Sequence, residues 1–206
     1  MRSSQEVLPY DEGVARIRRT DPSFDPGDFE RRAGRAFFLL GRAWQDRDPE
    51  LARPFMSPGA HRDWSVKVQL FIDRRRRSVL EGMRLDSLDL TGFSRADDFD
   101  RVLVRIEFTC AAYEVDEDTG RILSGDRTPG PVTELWEFRR AVGARTPDRR
   151  ILDGECPNCA SALRVGRLGE CRSCGAAVAG GRYDWVLSGL RSEGVTPVDG
   201  GPVARP

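Results

Sequence analysis

Val102-Leu-Val-Arg-Ile-Glu-Phe-Thr-Cys-Ala111 is the stretch whose reading decides the fold. Val102, Val104, Ile106, Phe108 and Cys110 alternate with Leu103, Arg105, Glu107, Thr109 and Ala111. That period of two marks a strand with one buried face. A weaker strand over Leu85–Phe93 precedes it. Asp116-Glu-Asp-Thr-Gly120 follows as a turn into a short strand over Arg121–Ser124, and Val132–Arg140 reads as a further strand with Trp136 and Phe138 on one face.

Upstream the period is helical. A short helix spans Asp11–Arg19. Asp25 then offers an N-cap, Pro26 suits the first helical position and Asp28 places negative charge at the positive end of the dipole. Phe29, Ala33, Ala36, Phe37, Leu40, Ala43 and Trp44 recur at three- and four-residue steps, so they form the core stripe of a helix ending near Asp46. Another helix is expected from Ala60 to Met83, with Trp64, Val68, Phe71, Ile72, Val79 and Met83 as its apolar stripe. Helices followed by a run of antiparallel strands give an α+β class.

The 206 residues suffice for one domain and a small appendage. With 39% hydrophobic and 32% charged residues the composition is that of a soluble protein. Bases and acids balance at 33 each, so no global field selects a polyanion, and nucleic acid is disfavoured. Lys67 is the sole lysine, an arginine bias that fits a GC-rich bacterial coding sequence. No run approaches the roughly 18 apolar residues of a membrane span, and the N-terminus shows no signal-peptide core, which points to the cytosol.

In that compartment, cysteines paired at short spacing suggest metal rather than disulfides. Cys156-Pro-Asn-Cys159 and Cys171-Arg-Ser-Cys174-Gly175 form two Cys-x-x-Cys knuckles, each presenting two sulfurs to one ion. Four thiolates fill a tetrahedral shell and leave no position for water or substrate, so the site reads as structural Zn2+ in a zinc ribbon. A redox dithiol or an iron–sulfur cluster are the alternatives that the spacing disfavours. Gly175 sits where the second knuckle needs an unusual backbone angle. The division that follows is an extension over 1–20, the α+β body over 21–152, the ribbon over 153–191 and a disordered tail over 192–206.

Cys110 is expected to be a small buried hydrophobe, and His61 to cap a helix or face solvent. No catalytic triad or phosphate-binding glycine loop is visible. Arg74, Arg75, Arg76 and Arg77 occupy one turn of the Ala60–Met83 helix, within a segment holding seven basic and three acidic residues between His61 and Arg84. They are either a solvated face paired with nearby acids or a lipid- and anion-binding surface.

Asp21-Pro-Ser-Phe-Asp25, Phe29-x-x-Arg32-Ala33-x-x-Ala36-Phe37, Ala43-Trp44-x-x-Arg47-Asp48, Leu51-Ala-Arg53-Pro54-Phe55 and Thr133-Glu134-Leu135-Trp136-Glu137-Phe138-x-Arg140 together resemble the subunit-forty-four-like domain of the mitochondrial inner-membrane translocase, which has bacterial members. The ribbon followed by Tyr183-Asp-Trp-Val-Leu-Ser188 is similar to an extension on a bacterial branch. The resemblance implies a cone in which helices close a curved antiparallel sheet, as in nuclear transport factor two. It also implies peripheral attachment to cardiolipin-rich membrane and contact with partner proteins. The long region that recruits the chaperone motor has no counterpart before Asp21, so the motor-scaffold role is not carried over.

Two functions follow. The first is a non-enzymatic module that binds an anionic membrane surface, a lipid or a membrane-associated protein. The second is an isomerase- or cyclase-type enzyme using the cone's pocket, with Asp86, Tyr113 and Glu134 as the candidate acids.

Overall fold

The alternation at 102–111 lies at the centre of a long strand. In a computed structural model, which describes residues 7–148 and 150–193, β2 runs Phe99–Asp116, and its inner residues Val102, Val104, Ile106, Phe108 and Cys110 are all buried. β1 (Arg76–Ala96) lies antiparallel along one side of β2. β4 (Gly130–Ala141) lies antiparallel along the other side, and β3 (Ile122–Gly125) continues that side at the far end of β2. β5 (Val186–Glu193) pairs with β4, giving an open antiparallel sheet in the order β1-β2-β4-β5. Three register shifts along β1, between Glu81 and Arg84, Leu85 and Ser87, and Leu90 and Gly92, bend that strand and curve the sheet.

α1 (Tyr10–Arg18), α2 (Pro26–Asp46) and α3 (Pro58–Asp73) pack on this sheet. α2 starts as its sequence dictates, with the Asp25 carboxylate accepting from the Asp28 N–H at 2.7 Å and Pro26 in the first turn. Its aromatic stripe meets the inner sheet face. Phe29 lies edge-on to Phe138 at 5.4 Å between ring centres, and Phe37 lies edge-on to Phe108 at 4.9 Å. α3 closes the other end of the core through Trp64 and Phe71, both against Trp44.

One expectation is corrected. α3 stops at Asp73, ten residues before Met83. Arg74 caps it, Arg75 takes the left-handed conformation (φ 50°), and Arg76 already pairs with Asp116 in the sheet. From Ser78 to Leu80 the burial alternates as in a strand, and Leu80 rather than Val79 enters the core. Helical counting failed there because arginine is a good helix former and no Gly or Pro marks the stop. The four arginines therefore form a helix-to-strand turn, not a helix face.

Val186–Arg191 also differs from the expectation, which placed it in the ribbon. This segment belongs to β5, and Ser192 and Glu193, assigned to the tail, complete the strand. Val186 and Leu187 are both fully buried, which hides the alternation at the start of the strand. The expected tail over 194–206, and the reading of Met1–Glu6 as lacking an export signal, lie outside the described residues. Among the described residues no helix is long and apolar enough to cross a membrane.

Candidate metal centre

Between β4 and β5 the chain leaves the sheet and forms two knuckles with the same backbone plan. In the first, the Cys156 N–H donates to Ser161 O and the Ala160 N–H to Cys156 O. In the second, the Cys171 N–H donates to Ala176 O and the Gly175 N–H to Cys171 O, all at 2.8–2.9 Å. Ala160 and Gly175 hold the equivalent left-handed position, at φ 62° and 74°. Gly175 is thus the glycine that the turn favours, and Ala160 adopts the same angle with a side chain.

The four sulfurs of Cys156, Cys159, Cys171 and Cys174 all lie within 4.8 Å of one another. Thiolates about 2.3 Å from a shared zinc would stand roughly 3.8 Å apart at tetrahedral corners. Cys156 Sγ and Cys174 Sγ are 3.8 Å apart. The donor set therefore fits a metal ion of tetrahedral, thiolate-preferring type.

The surroundings support the sulfurs. Asn158 Nδ2 donates to Cys174 Sγ at 3.5 Å, and Ser161 Oγ stands 3.1 Å from Cys159 Sγ. Burial alone would raise the Cys171 thiol, but the backbone N–H groups of Ser173 and Cys174, together with the neighbouring Cys156 and Cys174 side chains, bring it down to about 6. Cys156 is pushed up to about 11, chiefly by burial. Cys156 and Cys171 belong to the same hydrophobic core as the sheet and helices, while Cys159 and Cys174 are exposed. The centre is set into the body by its inner pair.

Directly after the knuckles, Asp184 and Trp185 enter a knot of buried charges. Arg32 of α2 binds the Asp184 carboxylate at 2.7 Å and the Trp185 carbonyl at 2.9 Å. Arg140 of β4 binds Asp21 at 2.7 Å and lies over the Trp185 ring at 4.7 Å. Burial works against the Asp21 charge, but Thr146 and Arg140 donate to it and hold its pKa below the ordinary value. Phe24 and Phe29 wall the knot against Trp185.

The other residues singled out in sequence fall as follows. Arg75 is paired with Asp118 and Arg76 with Glu114 (3.6 Å), both pairs on the surface, while Arg47 forks onto Glu117 beside them. Arg74 and Arg77 are exposed in the same turn. His61, expected as a cap or at the surface, is instead buried. Its Nε2 lies 2.9 Å from Pro49 O, its Nδ1 faces Ser65 Oγ, and burial lowers its pKa. Both ring nitrogens thus face groups other than the buried Cys110.

Asp86 lies on the outer face, bonded to Arg84 and Thr109, and the Tyr113 hydroxyl donates to Glu81. Glu134 is the exception. It points inward between Val132 and Trp136 and is 1% exposed. It accepts from Trp136 Nε1 at 2.7 Å, leaves Oε1 without a hydrogen-bond partner, and is pushed up to about 7 by burial.

A model of the Tim44-like domain matches residues 10–153, well over half of the chain. The chain belongs to the Tim44-like domain family. No curated protein matches it. Among solved structures it is similar to the intermembrane space region of the chloroplast protein ARC6, at 10% identity and a TM-score of 0.42, over 83% of this chain and 98% of that one.

The Tim44-like match begins at Tyr10, so it takes in α1, and it stops at Asp153, before the first cysteine. Four of the six side chains in the buried knot, those of Asp21, Arg32, Arg140 and Thr146, come from the Tim44-like segment. The other two, Asp184 and Trp185, come from beyond it. Asp21, Arg32, Arg140, Asp184 and Trp185 all lie in the segments that carry the resemblance, but nothing local in the sequence pairs them. A clue lay in the charges, because Arg32 falls on the apolar stripe of α2 and Arg140 on the Trp136–Phe138 face, where a buried arginine requires an acid.

Proposed function

We propose that this chain is a non-enzymatic binding module with a structural zinc, associating peripherally with an anionic membrane surface or with a protein held there. The carrying observation is that the four-cysteine centre is closed and shares its core with the Tim44-like body. A closed thiolate shell offers no open position for chemistry, so the metal acts on shape and stability. Zinc is favoured over other soft-ligand metals by the four thiolates at two-residue spacing. The membrane partner is supported by membership of the Tim44-like family and by the peripheral attachment that this resemblance implies. The same reading puts the protein in the cytoplasm, on the inner face of the cell membrane.

The test has two arms. Metal analysis of the purified chain is expected to give one zinc per molecule, released by denaturation together with five reactive thiols, the four of the centre and that of the buried Cys110. Co-sedimentation is expected to show the chain pelleting with vesicles that contain cardiolipin or phosphatidylglycerol, and not with phosphatidylcholine alone. Equal pelleting with both vesicle types at low salt would overturn the membrane assignment, and a metal-free folded chain would overturn the zinc.

Glu134 supports the enzymatic alternative to a limited extent, since a buried acid with a pKa near 7 is suited to proton transfer. The groove of about 160 Å³ between α3 and β5 is lined by Ala60, Asp63, Trp64, Lys67, Ser188, Gly189 and Leu190, and not by Glu134. A crystal structure with a small molecule against Glu134 Oε1 would favour this second reading.

A further inference from the structure

Resting on the membrane reading above, we infer that the chain's contact with an anionic bilayer is the tip of the ribbon, Arg167 and Leu168 with Arg164 and Arg172 behind them, and not the Arg74–Arg77 turn. Leu168 is 84% exposed, the most exposed large hydrophobic side chain among the described residues. It stands at the end of a hairpin whose arms meet through the Val165–Cys171 bridge and the Arg172 N–H to Arg164 O bond at 2.8 Å.

The tip is held firmly. The Leu168 N–H donates to Glu170 Oε2 at 3.0 Å, and the Gly166 N–H to Glu170 O at 2.7 Å. From the body, Arg53 Nη1 donates to Arg167 O at 3.1 Å. Gly169 has φ 85°, and a Cβ there would stand 2.9 Å from the Ala179 side chain, so the loop is pressed close to the residues beneath it. A fixed loop that presents a leucine to solvent loses little freedom when the leucine is buried elsewhere.

Charge identifies what it meets. Arg164, Arg167 and Arg172 are exposed around the leucine. Of the acids close by, Glu50 is paired with Arg53 and the Glu170 carboxylate accepts from the Leu168 N–H, so the three arginines outnumber the one acid of the loop. At the Arg74–Arg77 turn, by contrast, Asp118, Glu114 and Glu117 answer the arginines Arg75, Arg76 and Arg47, so that surface is locally compensated. One protruding leucine is too little for the apolar centre of a protein interface, which takes roughly 800 Å² from each partner. A bilayer needs no matching pocket: it accepts one leucine below the headgroups while arginines engage the phosphates.

The test uses the full chain and vesicles of phosphatidylcholine with and without an anionic phospholipid. Leu168→Ser is expected to weaken partitioning to anionic vesicles about tenfold, given the apolar area that leucine would lose. Arg167→Glu should weaken it in a salt-dependent way, and Arg75→Asp should leave it unchanged. Because the four native tryptophans are buried, a Leu168→Trp variant reports insertion directly. Its added emission should shift to the blue and be quenched by lipids brominated along the acyl chain. If the wild-type chain binds anionic vesicles and Leu168→Ser binds equally well, the ribbon-tip contact is wrong while the membrane reading stands. If the wild-type chain does not bind them, the ribbon-tip contact falls together with direct binding to an anionic bilayer. Bound metal measured in each variant confirms that the ribbon is formed.

Discussion

Glu134 illustrates how a single side chain can reverse the usual relation between pH and stability. Its carboxyl is raised by burial from the ordinary 4.5 to about 7, against the weaker pull of the Trp136 indole N–H and the Lys67 ammonium. Between those values the folded chain binds a proton that the unfolded chain has released, so stability falls as pH rises. The contribution is fully present below 4.5 and fully lost above about 7, amounting to about 3 kcal/mol at roughly 1.4 kcal/mol per pH unit. Glu134→Gln keeps the acceptor for Trp136 Nε1 and removes the charge. Urea unfolding is expected to show the variant more stable than wild type at pH 8 by up to that amount, with the difference vanishing near pH 4. Equal stability at pH 8 would mean that Glu134 ionises without penalty. Asp21 has the opposite sign: its pKa is held down by Thr146 and Arg140, so its support is lost only in acid.

At the scale of elements, the metal centre and β5 belong together. The knuckles end at Cys174, and after the Val178–Gly180 turn the chain re-enters the core as Asp184, Trp185, Val186 and Leu187. A metal held by both knuckles would thereby position the strand that follows. Chelation of the ion is expected to remove hydrogen-exchange protection from the knuckles and from β5 while β1 and β2 keep theirs, read by exchange mass spectrometry. Protection of β5 that survives full metal loss would show the two to be independent.

The sequence showed the parts of this arrangement unevenly. The four-cysteine cluster, α2 and β2 were legible because cysteine spacing, caps and a clean period are local signals. The end of α3 was not, because Arg74–Arg77 carries no breaker and the sheet partner that turns Arg76 into a strand residue lies forty residues away, at Asp116. β1 was read as Leu85–Phe93 alone because three bulges interrupt its alternation. β5 was absorbed into the ribbon because its first two residues are buried on both faces, so its place is set by β4, Met56 and Ser57 rather than by its own pattern.

For the whole molecule, the family boundary and the physical boundary differ. The Tim44-like match ends at Asp153, yet the core it encloses is completed from beyond that point. Without residues 154–193, Arg32 would lose both the Asp184 carboxylate and the Trp185 carbonyl that answer its charge. A buried arginine stripped of its acid costs on the order of 3–5 kcal/mol where water does not reach it, a large share of the roughly 5–15 kcal/mol that holds a domain folded. The truncation would also remove the ring over which Arg140 lies and leave β4 as an unprotected edge with a ready template for pairing with other chains. A chain ending at Asp153 is therefore expected to be insoluble or to elute as aggregate in size-exclusion chromatography, whereas one ending at Glu193 should be monodisperse and melt cooperatively. Arg32→Met in the shortened chain removes the unpaired charge but not the open edge. It is expected to recover part of the stability without abolishing association, which separates the two causes by experiment.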